Sequence, residues 1–148
     1  MNSIQNIQQS EDIEKFLEDV GRLVAIPSVR DMETASAKAP FGKEIRKAFD
    51  AFMEIAQRMG FTVRDFDGYA LDAQIGEGDD YIGVLGHLDV VEEGERSLWN
   101  SDPFVMRQEN GMLYGRGVND DKGPLLAALY AAARIKKEKR KLHHPIRI

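Results

Sequence analysis

A chain of 148 residues, 43% hydrophobic and with a net charge of −5, is one globular domain's worth of polypeptide, able to bury roughly 70% of its unfolded surface. The acidic balance argues against a general nucleic-acid binder, whose footprint is basic, and the lack of cysteine removes disulfides, thiolate zinc sites and cysteine nucleophiles together. No apolar run approaches the ~18 residues of a membrane span, and Met1–Ser10 lacks the apolar centre of a secretory signal, so the expectation is a cytoplasmic protein without a membrane partner.

Within residues 11–26, Ile13, Phe16, Leu17, Val20, Leu23 and Val24 recur at three- and four-residue spacing, which predicts an amphipathic helix. Ser10 is placed to cap its start, Glu11, Asp12 and Glu14 suit the positive end of its dipole, and Pro27 ends it. Residues 29–42 have no periodicity and close on Ala39-Pro40-Phe41-Gly42, a loop with turn chemistry. A second helix is expected over about residues 43–59. Its buried stripe would be Ile45, Phe49, Phe52, Met53, Ala56 and Met59, with Gly60 closing the C-terminus.

The texture then changes. Phe61 to Phe66 has strand character, Asp67-Gly68 is a hairpin turn signal, and Tyr69 to Ile75 alternates as the return strand. Gly76 to Asp80 is a further turn. Tyr81 to His87 is nearly all apolar, which suits a central strand buried on both faces. Residues 92–103 form an acidic then polar loop, and Met112-Leu113-Tyr114 begin another short strand. Pro124 fits the first turn of a helix reaching about Lys139, and Pro145 to Ile148 begin a strand. Helices and strands mixed in this way imply an α/β fold in which helices cover a mixed sheet. Sites in such sheets gather where strands end and helices begin, and His87 and Asp120 both occupy such positions.

Two segments carry chemistry. In an extended His87-Leu88-Asp89 the first and third side chains share a face, so the Asp89 carboxylate can accept from one imidazole nitrogen and leave the other for a metal. The plainer alternative is a structural histidine bonded to a turn carboxylate. Asp120-Asp121 sits between Gly115-Arg116-Gly117 and Lys122-Gly123-Pro124. Adjacent carboxylates repel unless a cation lies nearby, although an Asp before a helix is also an ordinary N-cap.

Taken together, Gly86-His87-Leu88-Asp89-Val90-Val91, Trp99 with Asp102-Pro103-Phe104, and the run Gly111 to Pro124 resemble the dinuclear-zinc metallopeptidases that include carboxypeptidase G, aminoacylase and several bacterial dipeptidases. Ile26-Pro27-Ser28-Val29 resembles the same family's early segment, and Ala39-Pro40-Phe41-Gly42 narrows the likeness to the dipeptidase V-like branch. The resemblance runs from about Glu14 to Ile148. It implies a three-layer αβα catalytic domain with a mixed sheet, of which residues 1–148 would be the N-terminal portion. It further implies hydrolysis of unblocked dipeptides at a pair of zinc ions. His87 would be a ligand of one zinc. Asp120 would bridge both, often through a cis peptide to Asp121, and Asp89 would orient His87. Arg116, Asp121 and Lys122 would support the turn rather than ligate.

Other features of that family are expected to fall beyond Ile148: an adjacent Glu-Glu pair that holds the general base, a later acidic ligand, a final histidine and a second domain. Glu92-Glu93 is such a pair by type but comes too early, and the loop there lacks a proline that relatives commonly carry. His143 and His144 lie in a connector, so they are expected to be solvated rather than ligating. Lys136 to Lys141 reads as a solvated helix end that complements the dipole, although a basic run also suits an anionic partner. Trp99 and Phe104 suit either packing of the long loop or lining of a pocket. The expectation is a zinc-dependent dipeptidase in the parent protein and an inactive isolated chain. The alternatives are a folded fragment with no catalytic role, and an aminoacylase or carboxypeptidase specificity. If the sheet continues past Ile148 in the parent, self-association of this chain through an exposed sheet edge is expected.

Overall fold

The computed structural model describes residues 2–148, with side chains described from Glu11 onward. Three helices and six short strands follow in the order α1 (Asn2–Val24), α2 (Lys43–Arg58), β1 (Thr62–Phe66), β2 (Ala70–Ile75), β3 (Ile82–Gly83), β4 (Arg107–Glu109), β5 (Met112–Tyr114), α3 (Lys122–Lys137) and β6 (Ile146–Arg147). The expected α/β class with a mixed sheet is borne out. In the larger sheet the order is β1-β2-β6-β3; β2 runs antiparallel to β1 and β6, while β3 runs parallel to β6. A separate ribbon pairs β4 with β5.

The helices take their place from their apolar stripes. Val20, Leu23 and Val24 of α1, Ala48, Phe52 and Ile55 of α2, and Leu125, Leu126 and Leu129 of α3 form one cluster over Ala73, Ile75 and Ile148. A second, polar tie joins all three helices. Buried Asp19 accepts hydrogen bonds from Arg58 and from the Tyr130 hydroxyl, the latter at 2.5 Å. Burial, then the Asp19 carboxylate, raises the Tyr130 hydroxyl above its ordinary pKa. The folded chain therefore keeps a proton there that the unfolded chain releases above pH ~10, so stability falls as pH rises past that value. Tyr130→Phe is expected to flatten this alkaline loss in urea melts between pH 9 and 11; an unchanged slope would refute the assignment.

Asp67 and Gly68 both adopt positive φ, 55° and 74°, as a tight turn between two twisted strands requires. Gly60 follows the end of α2 at φ 82°, and the amides of Gly60 and Phe61 bond back to Gln57 and Ala56. On the sheet face away from the core, Arg64 clasps Asp72 at 2.6 and 2.9 Å, and the Arg147 guanidinium lies 3.8 Å from the Tyr81 ring centroid.

Two expectations need correction, and one element is not anticipated. The backbone of α1 is helical from Asn2, so Ser10 lies inside the helix and does not cap it, and the acidic residues at 11–14 are not in its first turn. The Tyr81–His87 run is not a central strand. β3 is an edge, with Ile82 and Val84 bonding to Pro145 and Arg147 on one side only, and Leu85 is 100% exposed. β6 occupies the central place instead, between β2 and β3, where Ala73 and Ile148 exchange hydrogen bonds of 2.8 and 3.0 Å. Finally, Arg107–Glu109 form a strand that the polar sequence gave no reason to expect.

Candidate metal centre

His87 leaves the sheet just after β3 on an extended segment. Leu88 and Val90 turn inward and are buried, so His87 and Asp89 turn outward together, as alternation requires. Ser28 fixes this segment from below: its buried hydroxyl donates to the Leu88 carbonyl at 2.6 Å, and its own carbonyl accepts from the Val90 amide at 3.0 Å. Gly86 is needed for a different reason. A Cβ there would lie 2.5 Å from Asp121 Oδ2 and 2.7 Å from Leu125 Cδ1.

Asp120 arrives from the loop before α3. The Asp120–Asp121 peptide is cis. The Asp121 carboxylate turns back to accept the His87 amide at 3.2 Å, while the Asp120 carboxylate faces the His87 ring. Imidazole Nε2 lies 3.0 Å from Asp120 Oδ1. The other nitrogen, Nδ1, is 3.0 Å from the backbone carbonyl of Asp89 and 3.4 Å from that residue's carboxylate. The orienting group nearest the ring is therefore the main chain of Asp89, with its side chain second. Asp89 and Asp120 are exposed, so neither carboxylate is spent on packing.

The protonation state follows from these contacts. Partial burial pulls the His87 ring down, but the Asp89 carbonyl and carboxylate and then the Asp120 carboxylate outweigh it and hold the pKa above the ordinary imidazole value. As imidazolium the ring donates to both neighbours. As the neutral tautomer with its proton on Nδ1, it leaves Nε2 and the Asp120 oxygen as two lone-pair donors side by side. Their 3.0 Å separation is close to the ~3.3–3.4 Å between two ligand atoms on a tetrahedral zinc with bonds of ~2.0–2.1 Å. The pair thus fits half of a zinc site. Among the described residues no group of three or more His, Cys, Asp or Glu side chains is placed to hold a metal ion.

The supports named in the sequence are in place. The Arg116 amide bonds the Pro103 carbonyl at 2.7 Å. Its guanidinium reaches the carbonyls of Glu92 and Glu93 at 3.1 and 3.4 Å and lies 5.2 Å from the Trp99 ring centroid. Trp99 donates to the Glu93 carbonyl, so it packs the loop. Glu93 pairs with Arg96 on the same loop, away from the His87–Asp120 pair. His144 bonds Asp80 and stands apart from His87. Lys136 and Lys137 bond the Gly60 carbonyl and the Asp12 carboxylate, in keeping with a helix end rather than an anion site.

Lys122 goes further than expected. Its side chain is 0% exposed and its ammonium donates to the carbonyls of Leu23 and Ile26 at 2.8 and 2.7 Å, at the end of α1 and in the turn that follows it. Burial pulls its pKa down to about 8 against the opposing pull of Asp89. Sequence reading named Lys122 as a turn support and Ser28 only within a family-like segment. The partners of both lie 60 to 99 residues away, and no local pattern announces them.

Comparison with known proteins gives the arrangement its context. Residues 83–148 match the model of Peptidase family M20/M25/M40. The Beta-Ala-Xaa dipeptidase of Lactobacillus delbrueckii subsp. lactis is 43% identical over 122 residues, which is 82% of this chain and 26% of that protein. Bacillus subtilis YtjP, whose name assigns it provisionally to the dipeptidases, is 41% identical over 90% of this chain and 28% of its own length. Human carnosine dipeptidase 1 superposes with a TM-score of 0.71 at 26% identity, covering 90% of this chain and 31% of that one. Saccharomyces cerevisiae Dug1p superposes at 0.73 over 98% of this chain, a likeness of fold at 19% identity. The metallopeptidase resemblance read from the sequence, its dipeptidase branch included, is borne out. This chain spans little more than a quarter of the length of the curated relatives it matches.

Proposed function

From the match of residues 83–148 to the model of Peptidase family M20/M25/M40 and the likeness to proteins named as dipeptidases, we propose that this chain is part of the catalytic domain of a zinc-dependent dipeptidase and supplies one half of its metal centre. The observation that carries the reading is the 3.0 Å approach of His87 Nε2 to Asp120 Oδ1, between two loops 33 residues apart in sequence. In this reading His87 and Asp120 are ligands and Asp89 holds the ring through Nδ1. A zinc ion bound there would supply a Lewis acid and an activated water for peptide hydrolysis. The residues present would place it: Asp121 holds the His87 main chain, and Arg116 joins the Glu92–Glu93 loop to the Asp120 turn. The substrate class is a small peptide with a free amino end, by likeness to relatives named as dipeptidases.

The isolated chain is inactive on this account. Zinc takes about four ligands and two are present, and loss of a general base alone lowers a rate by on the order of 10²–10⁴. An assay of the 148-residue chain with an unblocked dipeptide and added zinc is expected to show no turnover above buffer. Turnover abolished by His87→Ala would show that the chain completes the site itself, and would overturn the proposal of a half-site.

The free edge of β3, with Ile82 and Leu85 exposed, supports self-association by strand pairing. Gel filtration from low to high concentration is expected to show a growing dimer fraction. A strict monomer across the range would rule it out.

A further inference from the structure

Lys122 poses a question that packing alone does not answer. A fully buried ammonium costs several kcal/mol unless it is paired, and here the Asp89 carboxylate acts on it without a direct bond, while its hydrogen bonds go to main-chain carbonyls. Its stem is confined as well, since a Cβ on Gly117 would lie 2.9 Å from Lys122 Cδ. The ammonium reaches only the Leu23 and Ile26 carbonyls. Ser28, 0% exposed, closes the same short stretch of chain with its two bonds to Leu88 and Val90.

The two anchors therefore converge on Leu23–Ser28. One tie leads to Lys122, two residues after Asp120; the other leads to the residues on either side of Asp89, immediately after His87. The loops that carry the two candidate ligands bond each other directly through His87 with Asp120 and Asp121, and through the Arg116 guanidinium with the Glu92 and Glu93 carbonyls; the two carboxylates on His87 are the groups a metal would compete for or disturb. Ser28 and Lys122 add ties from a third element, the turn that ends α1.

We propose that Lys122 and Ser28 are positioning residues. Through the turn that ends α1 they hold the His87 and Asp120 loops at ligand spacing, so that metal capture depends on a buried ammonium that touches neither ligand. The inference rests on the metal-site reading above.

The test uses the 148-residue chain and three variants. Lys122→Met keeps the stem and removes the charge and donors. Ser28→Ala removes one hydroxyl. Lys136→Met removes an equally basic group from the surface bond to Gly60. Two quantities are measured by nuclear magnetic resonance beside the melting temperature: the water-exchange rate of the His87 amide, which bonds Asp121, and the zinc concentration needed to shift the His87 and Asp120 resonances. Lys122→Met is expected to raise the exchange rate severalfold and to weaken zinc uptake tenfold or more, the range found when groups behind metal ligands are removed. Ser28→Ala moves both the same way by less, and Lys136→Met moves neither.

A purely structural role would lower the melting temperature of the folded variants and leave both quantities at wild-type values, which overturns the proposal. If Lys122→Met does not fold, Ser28→Ala decides by the same criteria. If the wild-type chain takes up no zinc, the metal reading fails separately. The His87 exchange rate then decides whether Lys122 and Ser28 position the loops.

Discussion

Asp120→Ala, in a protein of the relatives' full length that carries this sequence, is expected to lower dipeptide kcat/KM by well over 10²-fold. The fold is expected to survive, because the Asp120 side chain is 85% exposed and its hydrogen bond among the described residues is to His87. Replacing groups that merely stand behind a ligand costs 10–100-fold in metal affinity or activity, so loss of a ligand sets a higher floor. His87→Ala should do the same, with bound metal falling alongside activity. Asp89→Ala should cost less than either. The closer partner of Nδ1 is the Asp89 main-chain carbonyl at 3.0 Å, which alanine keeps, against 3.4 Å for the carboxylate. Measuring kcat/KM and metal content for the three variants checks the order. Near-wild-type turnover by Asp120→Ala would remove the physical basis of the proposed function. An Asp89→Ala loss as deep as that of His87→Ala would make the carboxylate, not the carbonyl, the group that matters.

What the sequence shows of this molecule depends on the range over which each signal acts. The stripe of α2 is legible because a helix repeats within four residues, and Ile45, Phe52 and Ala56 are buried as read. The Asp67-Gly68 turn is legible because two positive φ angles select those residue types. The start of α1 is not, since a polar N-terminal stretch has no stripe to mark where its helix begins. β3 fails for a different reason: an apolar run announces that a segment wants partners but not how many it finds. Here the run pairs on one side and leaves Leu85 in solvent. In the ribbon, β5 is legible from its apolar Met112–Tyr114, whereas β4 is three polar residues, too short for alternation to speak. At the site, residue types and glycine spacing point to His87 and Asp120, because their chemistry is intrinsic. Their convergence is not intrinsic. It is produced by Ser28 and Lys122 acting across 60 to 99 residues, where neither periodicity nor turn chemistry reaches.

That dependence on the backbone around Asp120 gives the largest stability effect to be expected of a single methyl group. Gly123 lies in the first turn of α3, and its amide bonds the Gly117 carbonyl at 3.3 Å. A Cβ at Gly123 would overlap the carbonyl oxygen of Val118 and sit 3.1 Å from its carbonyl carbon. These are main-chain atoms, so no rotamer change relieves the overlap. The segment 118–121 must move against α3. Overpacking of this kind costs ~1–3 kcal/mol, and with a rigid obstacle the upper end applies, about 3 kcal/mol in Gly123→Ala. That is a large share of the 5–15 kcal/mol that holds a typical domain together, and a fall in Tm of about 10 °C follows. Gly94→Ala supplies the contrast. Its φ is 74° and nothing lies within 4 Å of the added Cβ, so only the left-handed backbone penalty of roughly 1–2 kcal/mol remains. The two variants should also separate at the site. In Gly123→Ala the displaced loop carries Asp120 with it, and the His87 ring resonances shift; in Gly94→Ala they stay. A Gly123→Ala chain as stable as Gly94→Ala, with unmoved His87 resonances, would mean that the Asp120 loop yields easily, and a loop that yields easily could not hold a ligand at 3.0 Å from its partner.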